Sequence, residues 1–141
     1  MTERTQAQEP VGGVRRVAGG SPWEDVFGFA RAVAAGDRVV VGGTTSFEGA
    51  VLHGEGDPYE QTRVAIANAL AALAELGVGA ESVIRTRLIL THARDVDAAG
   101  RAHQEVFGSI RPAMTMMIVS GFVDPRILVE VEMEAYRGDG S

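Results

Sequence analysis

The sequence has no cysteine among its 141 residues. Disulfide bonds, thiolate metal ligands and cysteine nucleophiles are therefore excluded. It also has no apolar run long enough to span a membrane, and its start, MTERTQAQEP, lacks the basic and then apolar pattern of a signal peptide. We expect a cytoplasmic protein with no membrane partner.

Basic residues are outnumbered by acidic ones. Lysine and arginine together contribute 13 residues against 19 aspartates and glutamates, which gives a formal net charge of −6. Binding to nucleic acid by phosphate neutralisation requires a clustered basic surface. Nucleic acid is therefore not an expected partner.

The common metal-binding and catalytic motifs are missing as well. His53, His92 and His103 have no spacing typical of metal ligands. No nucleophile elbow occurs, and the run GGTT at 42–45 lacks the lysine and the length of a phosphate-binding loop. We predict no metal site and no cofactor.

What the sequence does contain is the composition of one globular domain, with 45% hydrophobic and 23% charged residues. We interpret residues 1–12 as a flexible arm, 13–136 as a single domain and 137–141 as a flexible tail.

Two helices are predicted from their terminal residues. The first begins with Asp57 as N-cap, Pro58 in the first turn and Glu60 completing a capping box, and it ends before Gly77. The second extends from Asp95 to about residue 107.

Apolar and alternating runs predict the strands. A hairpin joins 29–34 to 39–41 around a Gly-Asp turn, and further strands are predicted at 83–90, 115–119 and 128–136, with a short edge strand at 15–18. Residues 19–29, with a buried Trp23, and the glycine-rich 44–57 are interpreted as loops. The order ββαβαββ, with the edge strand in front, predicts an α+β fold with both helices on one side of a single sheet. Because the other side is too apolar to remain open, we expect an oligomer.

One face of the strand at 128–136 has three carboxylates, since residues two apart on a strand share a face. Glu130, Glu132 and Glu134 either face water, pair with cations such as Arg85 and Arg87, or line a site. Cross-strand ion pairs explain the outer two best. Glu130, nearest the preceding loop, is the candidate for a general base or a water-orienting group.

Several segments together resemble the Rid (YjgF) family, the reactive intermediate deaminases. They are FARAVAAGDRVVVGG (29–43), the capped helix from Asp57, RTRLILT (85–91), RPAMTMM (111–117) and ILVEVEMEA (127–135). The segment SPWE at 21–24, together with RPAMTMM, indicates a divergent branch. The resemblance implies a chorismate-mutase-like fold with a mixed sheet. It also implies a homotrimer of barrel-like form, with three small-molecule clefts between subunits.

The resemblance also implies a site, which this chain keeps only in part. Glu130 matches the family's water-orienting glutamate and is the predicted catalytic residue. Met114 stands where the family has its substrate-binding arginine. The methionine thioether has no N–H groups and cannot form the two parallel hydrogen bonds that a guanidinium donates to a carboxylate. Phe29 replaces a tyrosine, Gly42 a serine, and Arg101 an asparagine on the second helix. A displaced cation would come from Arg101, Arg31 or Arg87, with Arg101 preferred.

Two functions remain open at this point. The first is hydrolysis of an imine, enamine or related C–N compound with altered specificity, for which the retained Glu130 argues. The second is a trimer that binds a small metabolite without catalysis, for which the loss of the arginine at Met114 argues. Ribonuclease activity, sometimes attached to the family, disagrees with the net charge and the absent basic patch.

Overall fold

The computed structural model describes residues 13–138. The predicted arm and the end of the predicted tail lie outside these residues. The elements are β1 (Val14–Val17), α1 (Trp23–Phe27), β2 (Ala32–Ala35), β3 (Arg38–Thr44), β4 (Phe47–Glu48), β5 (Val51–Leu52), α2 (Pro58–Glu75), β6 (Val83–Leu90), α3 (Val96–Phe107), β7 (Ala113–Ile118) and β8 (Val129–Tyr136).

Six of the strands form one mixed sheet in the order β1-β2-β3-β8-β6-β7. All neighbours are antiparallel except β6 and β7, which are parallel and connected through α3, as a parallel pair requires. Helices α2 and α3 pack against each other, and both contribute side chains to one core beneath the sheet. The predicted α+β fold, with helices packed on a mixed sheet, is confirmed.

The start of α2 follows the predicted cap in part. The Asp57 carboxylate accepts the Glu60 N–H at 3.1 Å, and Pro58 occupies the first turn. The reciprocal half of the capping box is replaced by other contacts, because the Glu60 carboxylate binds Arg63 at 2.6 and 2.9 Å. The Asp57 N–H donates instead to the Gly54 carbonyl at 2.8 Å.

Strand β8 shows the predicted alternation. Val129, Val131, Met133 and Ala135 are buried against the helices. The three glutamates point to the other face, which the helices leave open.

The outer glutamates of β8 make cross-strand ion pairs with Arg87, as predicted, and within residues 13–138 the second cation is Arg38 and not the predicted Arg85. Arg87 Nη1 lies 3.1 Å from Glu132 Oε1 and 3.8 Å from Glu134 Oε2, and Arg38 Nη2 lies 3.7 Å from Glu134 Oε1. Glu130 differs from both, since it stands opposite Ile89 in the sheet.

Strict alternation along residues 83–90 predicts Val83 on the face of Arg85 and Arg87, and Ile84 on the face of Thr86 and Leu88. The structure contradicts this prediction at the start of β6. Val83 is buried and Ile84 is 54% exposed, the reverse of the predicted alternation. The register with β8 shifts between Val83 and Arg85, so that Ile84 is the extra residue of a β-bulge. One inserted residue exchanges the faces of those before it.

Two segments predicted to be loops contain regular structure. Residues 23–27 form α1, and Trp23 is 46% exposed and stacked on Phe27 at 5.4 Å rather than buried. Within 44–57, β4 and β5 form a small hairpin whose turn begins at Gly49 with φ +60°, as a primed turn requires. Both elements are too short for a periodic signal.

Gln61 ties α2 to the segment that leads into β8. This fully buried side chain donates to the Gly54 and Arg126 carbonyls at 3.2 and 3.0 Å, and it accepts the Leu128 N–H at 2.8 Å. Since Leu128 is two residues before Glu130, these bonds fix where the candidate catalytic strand begins.

We expect Gln61→Met, which keeps the side-chain volume, to lower the free energy of unfolding by about 2–4 kcal/mol, because three backbone groups lose a hydrogen-bond partner that is itself fully buried. Chemical denaturation measures this. The control is Arg63→Met on the same helix, whose exposed ion pair with Glu60 contributes less than about 1 kcal/mol. Equal losses in the two variants would contradict the role given to Gln61.

Candidate functional site

A cavity of about 450 Å³ lies where β3 ends and β8 begins, beside α1. This volume is within the range of small-molecule sites. Its walls are mostly apolar, with three charged side chains among them, Glu24, Arg31 and Glu130. Its aromatic lining consists of Trp23, Phe27, Phe29, Phe47 and Phe122.

Glu130 enters this cavity from the second position of β8. Its carboxylate is half-buried, and within residues 13–138 it takes part in no hydrogen bond or ion pair. Burial raises the pKa of Glu130, and the charge of Glu132 raises it further. An unpaired carboxylate with a raised pKa in a cavity is typical of a functional group.

A glycine makes room for this carboxylate. A Cβ on Gly43 would stand 2.5 Å from Glu130 Oε1 and 2.7 Å from its Cδ, closer than any side chain allows. Gly42 and Gly43 form a bulge in β3, where the register with β8 shifts between Val41 and Thr44. The strand predicted at 39–41 therefore extends further than expected, since pairing with β8 resumes at Thr44.

Gly42, the predicted ligand-binding residue, lies beside the cavity and not in its lining. Its N–H donates to the Arg31 carbonyl at 2.9 Å, and its carbonyl accepts the Thr44 hydroxyl at 2.8 Å. Gly42 thus connects the backbone of Arg31 to the bulge that carries Gly43. The bulge, which depends on pairing with β8, decides that Gly43 and not Gly42 faces Glu130.

Arg31 provides the cation of the cavity. Its guanidinium lies against Gly19, where an added Cβ would be 2.6 Å from both Cζ and Nε. Burial lowers the pKa of Arg31, and the nearby charge of Glu24 opposes this effect. Glu24 is itself buried and accepts the Gly19 N–H at 2.9 and 3.1 Å.

The other predicted site residues are dispersed. Phe29 lines the same cavity as Glu130 and is 50% exposed. Arg101 is on α3 with its guanidinium 4.4 Å from the centre of the Tyr59 ring. Met114, on β7, pairs with Thr86, whose side chain faces the helices. Arg101 and Met114 do not line the cavity, and neither does Arg87, which pairs with the outer glutamates of β8.

Comparison with known proteins places this arrangement in a family. The family model described as Endoribonuclease L-PSP matches residues 23–137. An uncharacterized protein of Streptomyces coelicolor is 67% identical over 89% of this chain and 93% of its own. The chain belongs to the YjgF/Rid family.

Solved structures agree with this assignment. A Mycobacterium tuberculosis member of the YjgF/YER057c/UK114 family has 36% identity and a TM-score of 0.80, and the match covers 87% of this chain and 98% of that one. A Yersinia pestis member of the Rid family shares the fold at 22% identity, with a TM-score of 0.72 over 77% of this chain and 87% of that one.

A metal-ion site and a membrane-spanning helix are both absent from residues 13–138 of this YjgF/Rid chain. No group of three histidine, aspartate or glutamate side chains is arranged to hold a metal ion in this range. None of its helices in the same range has the length and hydropathy needed to cross a membrane.

Because Glu130 carries a desolvated charge, we expect Glu130→Gln to raise the free energy of unfolding at neutral pH by about 1 kcal/mol. The unfolded carboxyl titrates near 4.5 and the folded one above it. The charge therefore destabilises the fold only above that value. The gain should vanish below the unfolded pKa, grow with pH up to the folded pKa and level off above it.

Urea denaturation of parent and variant at about pH 4 and about pH 7.5, at one protein concentration, measures the gain. Glu81→Gln is the control, since Glu81 is exposed, and it should show no such gain. A gain of equal size at both pH values would refute the desolvation argument.

Proposed function

We propose that this protein hydrolyses an imine, an enamine or a related C–N compound, with Glu130 positioning and activating the water. The observation that carries the proposal is the unpaired, half-buried carboxylate of Glu130 in a cavity with mostly apolar walls. Membership of the YjgF/Rid family supports the same reaction class.

The reaction requires a general base and an apolar cavity that limits access of bulk water. Glu130 accepts a proton from the water as its oxygen bonds to the imine carbon, and it delivers that proton to the nitrogen, which gives a carbinolamine. It then carries the hydroxyl proton to the nitrogen as the C–N bond breaks and the carbonyl forms, so both water protons leave on the nitrogen. An imine and water thus become a carbonyl compound and ammonia or an amine. A carboxyl whose pKa is raised is suited to both steps, because it accepts and donates protons nearer to neutral pH.

The proposed assembly is a homotrimer with the clefts between its subunits. The open face of the sheet supports it, because Val40 and Met117 are 37% and 39% exposed there and need cover. Phe29 and Met114, both largely exposed in one chain, would then be available to a neighbouring subunit.

A second candidate function is a non-catalytic metabolite-binding trimer. Met114 favours it, because the position carries no cation for a substrate carboxylate. Both functions use the same cavity, so hydrolysis with and without Glu130 distinguishes them. The name of the family model suggests ribonuclease activity as well, but the net charge of −6 opposes RNA binding.

The experiment is the hydrolysis of a panel of imines, with and without an adjacent carboxylate, by the parent and by Glu130→Gln. We expect the parent to accelerate at least one imine over buffer, and the variant to lose about 10²–10⁴-fold of that rate. RNA incubated with the parent serves as a control and should stay intact. Rates equal to buffer for every imine would reject the enzyme and favour the binding protein.

A sharper test uses the glycine pair of the bulge. In Gly43→Ala the new methyl group must displace the Glu130 carboxylate, the end of a flexible side chain. We expect a rate loss of at least about tenfold with a stability change below about 1 kcal/mol.

Gly42→Ala is the matched variant, because its Cβ would meet nothing closer than the Arg31 carbonyl at 3.8 Å. We expect its effect on rate to be clearly smaller. Equal rate losses in the two alanine variants would show that the bulge, and not the position of the carboxylate, controls the reaction.

A further inference from the structure

We infer that Arg31 is the anion anchor of the cavity and that the ligand is a small carboxylic acid with an apolar, preferably aromatic, body. This inference deepens the proposed function, because it names the substrate class of the same site. The cation comes from Arg31, the residue just before β2, and not from Arg101 on α3, which the sequence analysis preferred.

The first support is the way Arg31 is held. Its guanidinium lies flat on the backbone at Gly19, where no side chain fits, with Cζ, Nε and Nη2 all within 2.7 Å of the position a Cβ would take. The Glu24 carboxylate lies close enough to act on the charge of Arg31, but it accepts the Gly19 and Ser21 N–H groups and forms no ion pair with Arg31 within 4.0 Å. The guanidinium donors therefore remain available within the described part of the chain.

The second support is the presence of both signs of charge in one cavity. Arg31 and Glu130 line the same 450 Å³ without pairing with each other. Arginine binds carboxylates with two parallel hydrogen bonds, whereas Glu130 repels them. A ligand carboxylate is thus directed to Arg31, and the uncharged C–N group is left for Glu130.

The third support is the set of aromatic side chains that line the same cavity. Trp23 and Phe27 stack with an interplanar angle of 6°, and Phe29, Phe47 and Phe122 complete a lining that is mostly apolar. Rings of this kind contribute binding through apolar area and stacking, which a very small acid cannot exploit. The cavity therefore favours an acid that carries a ring or a branched apolar group.

Trp23 is the only tryptophan of the chain and lines the cavity, so its fluorescence reports occupancy without any reaction. The probe is phenylacetate, compared with its neutral analogue phenylacetamide at constant ionic strength. We expect phenylacetate to change the Trp23 emission with at least tenfold higher affinity than phenylacetamide.

In Arg31→Gln this preference for the acid should disappear, and Arg31→Lys should keep part of it, because lysine retains the charge but not the fork. Arg63→Gln is the control, since Arg63 is exposed on α2 and paired with Glu60, and it should bind like the parent. Gly19→Ala, which moves the guanidinium without removing it, should also weaken phenylacetate binding and covers the case in which Arg31→Gln does not fold.

The inference is overturned if acid and amide bind the parent equally, or if Arg31→Gln and Gly19→Ala both bind phenylacetate as Arg63→Gln does. The proposed function fails separately. Binding of phenylacetate through Arg31 without hydrolysis of any imine would reject the enzyme and leave the anchor in place. Hydrolysis of imines without a preference for phenylacetate over phenylacetamide would support the enzyme and reject Arg31 as the anion anchor.

Discussion

The period-two alternation of β8 is the constraint on which the structure depends. Four apolar side chains of this strand must face the helices to complete the core, and a strand has only one other face. The three glutamates are therefore fixed in a row on the open face, however strongly they repel one another. Arg38 on β3 and Arg87 on β6 form ion pairs with Glu134 and Glu132 and so offset their mutual repulsion. Within residues 13–138, the carboxylate of Glu130 has no such partner.

The unpaired carboxylate is accommodated by features that serve no stabilising purpose of their own. A bulge in β3 brings Gly43 under Glu130, and the backbone of Gly42 joins that bulge to the residue that carries the cavity's cation. A fold optimised for stability alone would fill this space and neutralise the charge. Keeping an empty position beside a desolvated acid is consistent with a site in which reactivity outweighs stability.

Local signals in the sequence accounted for most of the fold. The cap at Asp57, the alternation of β8 and the Gly-Asp turn between β2 and β3 each act over a few residues, so their outcomes can be foreseen without the tertiary structure. The errors occurred at the two β-bulges, Ile84 and Gly42–Gly43. A bulge depends on how a strand pairs with its neighbour, which the local sequence does not show. Helix α1 and the β4–β5 hairpin are too short to show a period.

The sequence by itself indicated the family and the α+β class, and it selected Glu130, the glutamate nearest the preceding loop, as the candidate catalytic residue. Only the tertiary structure decided which cation accompanies it. Arg31, Arg87 and Arg101 have the same side chain but different surroundings. Arg31 lines the cavity, Arg87 pairs with glutamates of β8, and Arg101 lies over the Tyr59 ring. The reason is physical: a charge acts through its distance and burial, and both are set by contacts between segments far apart in the chain.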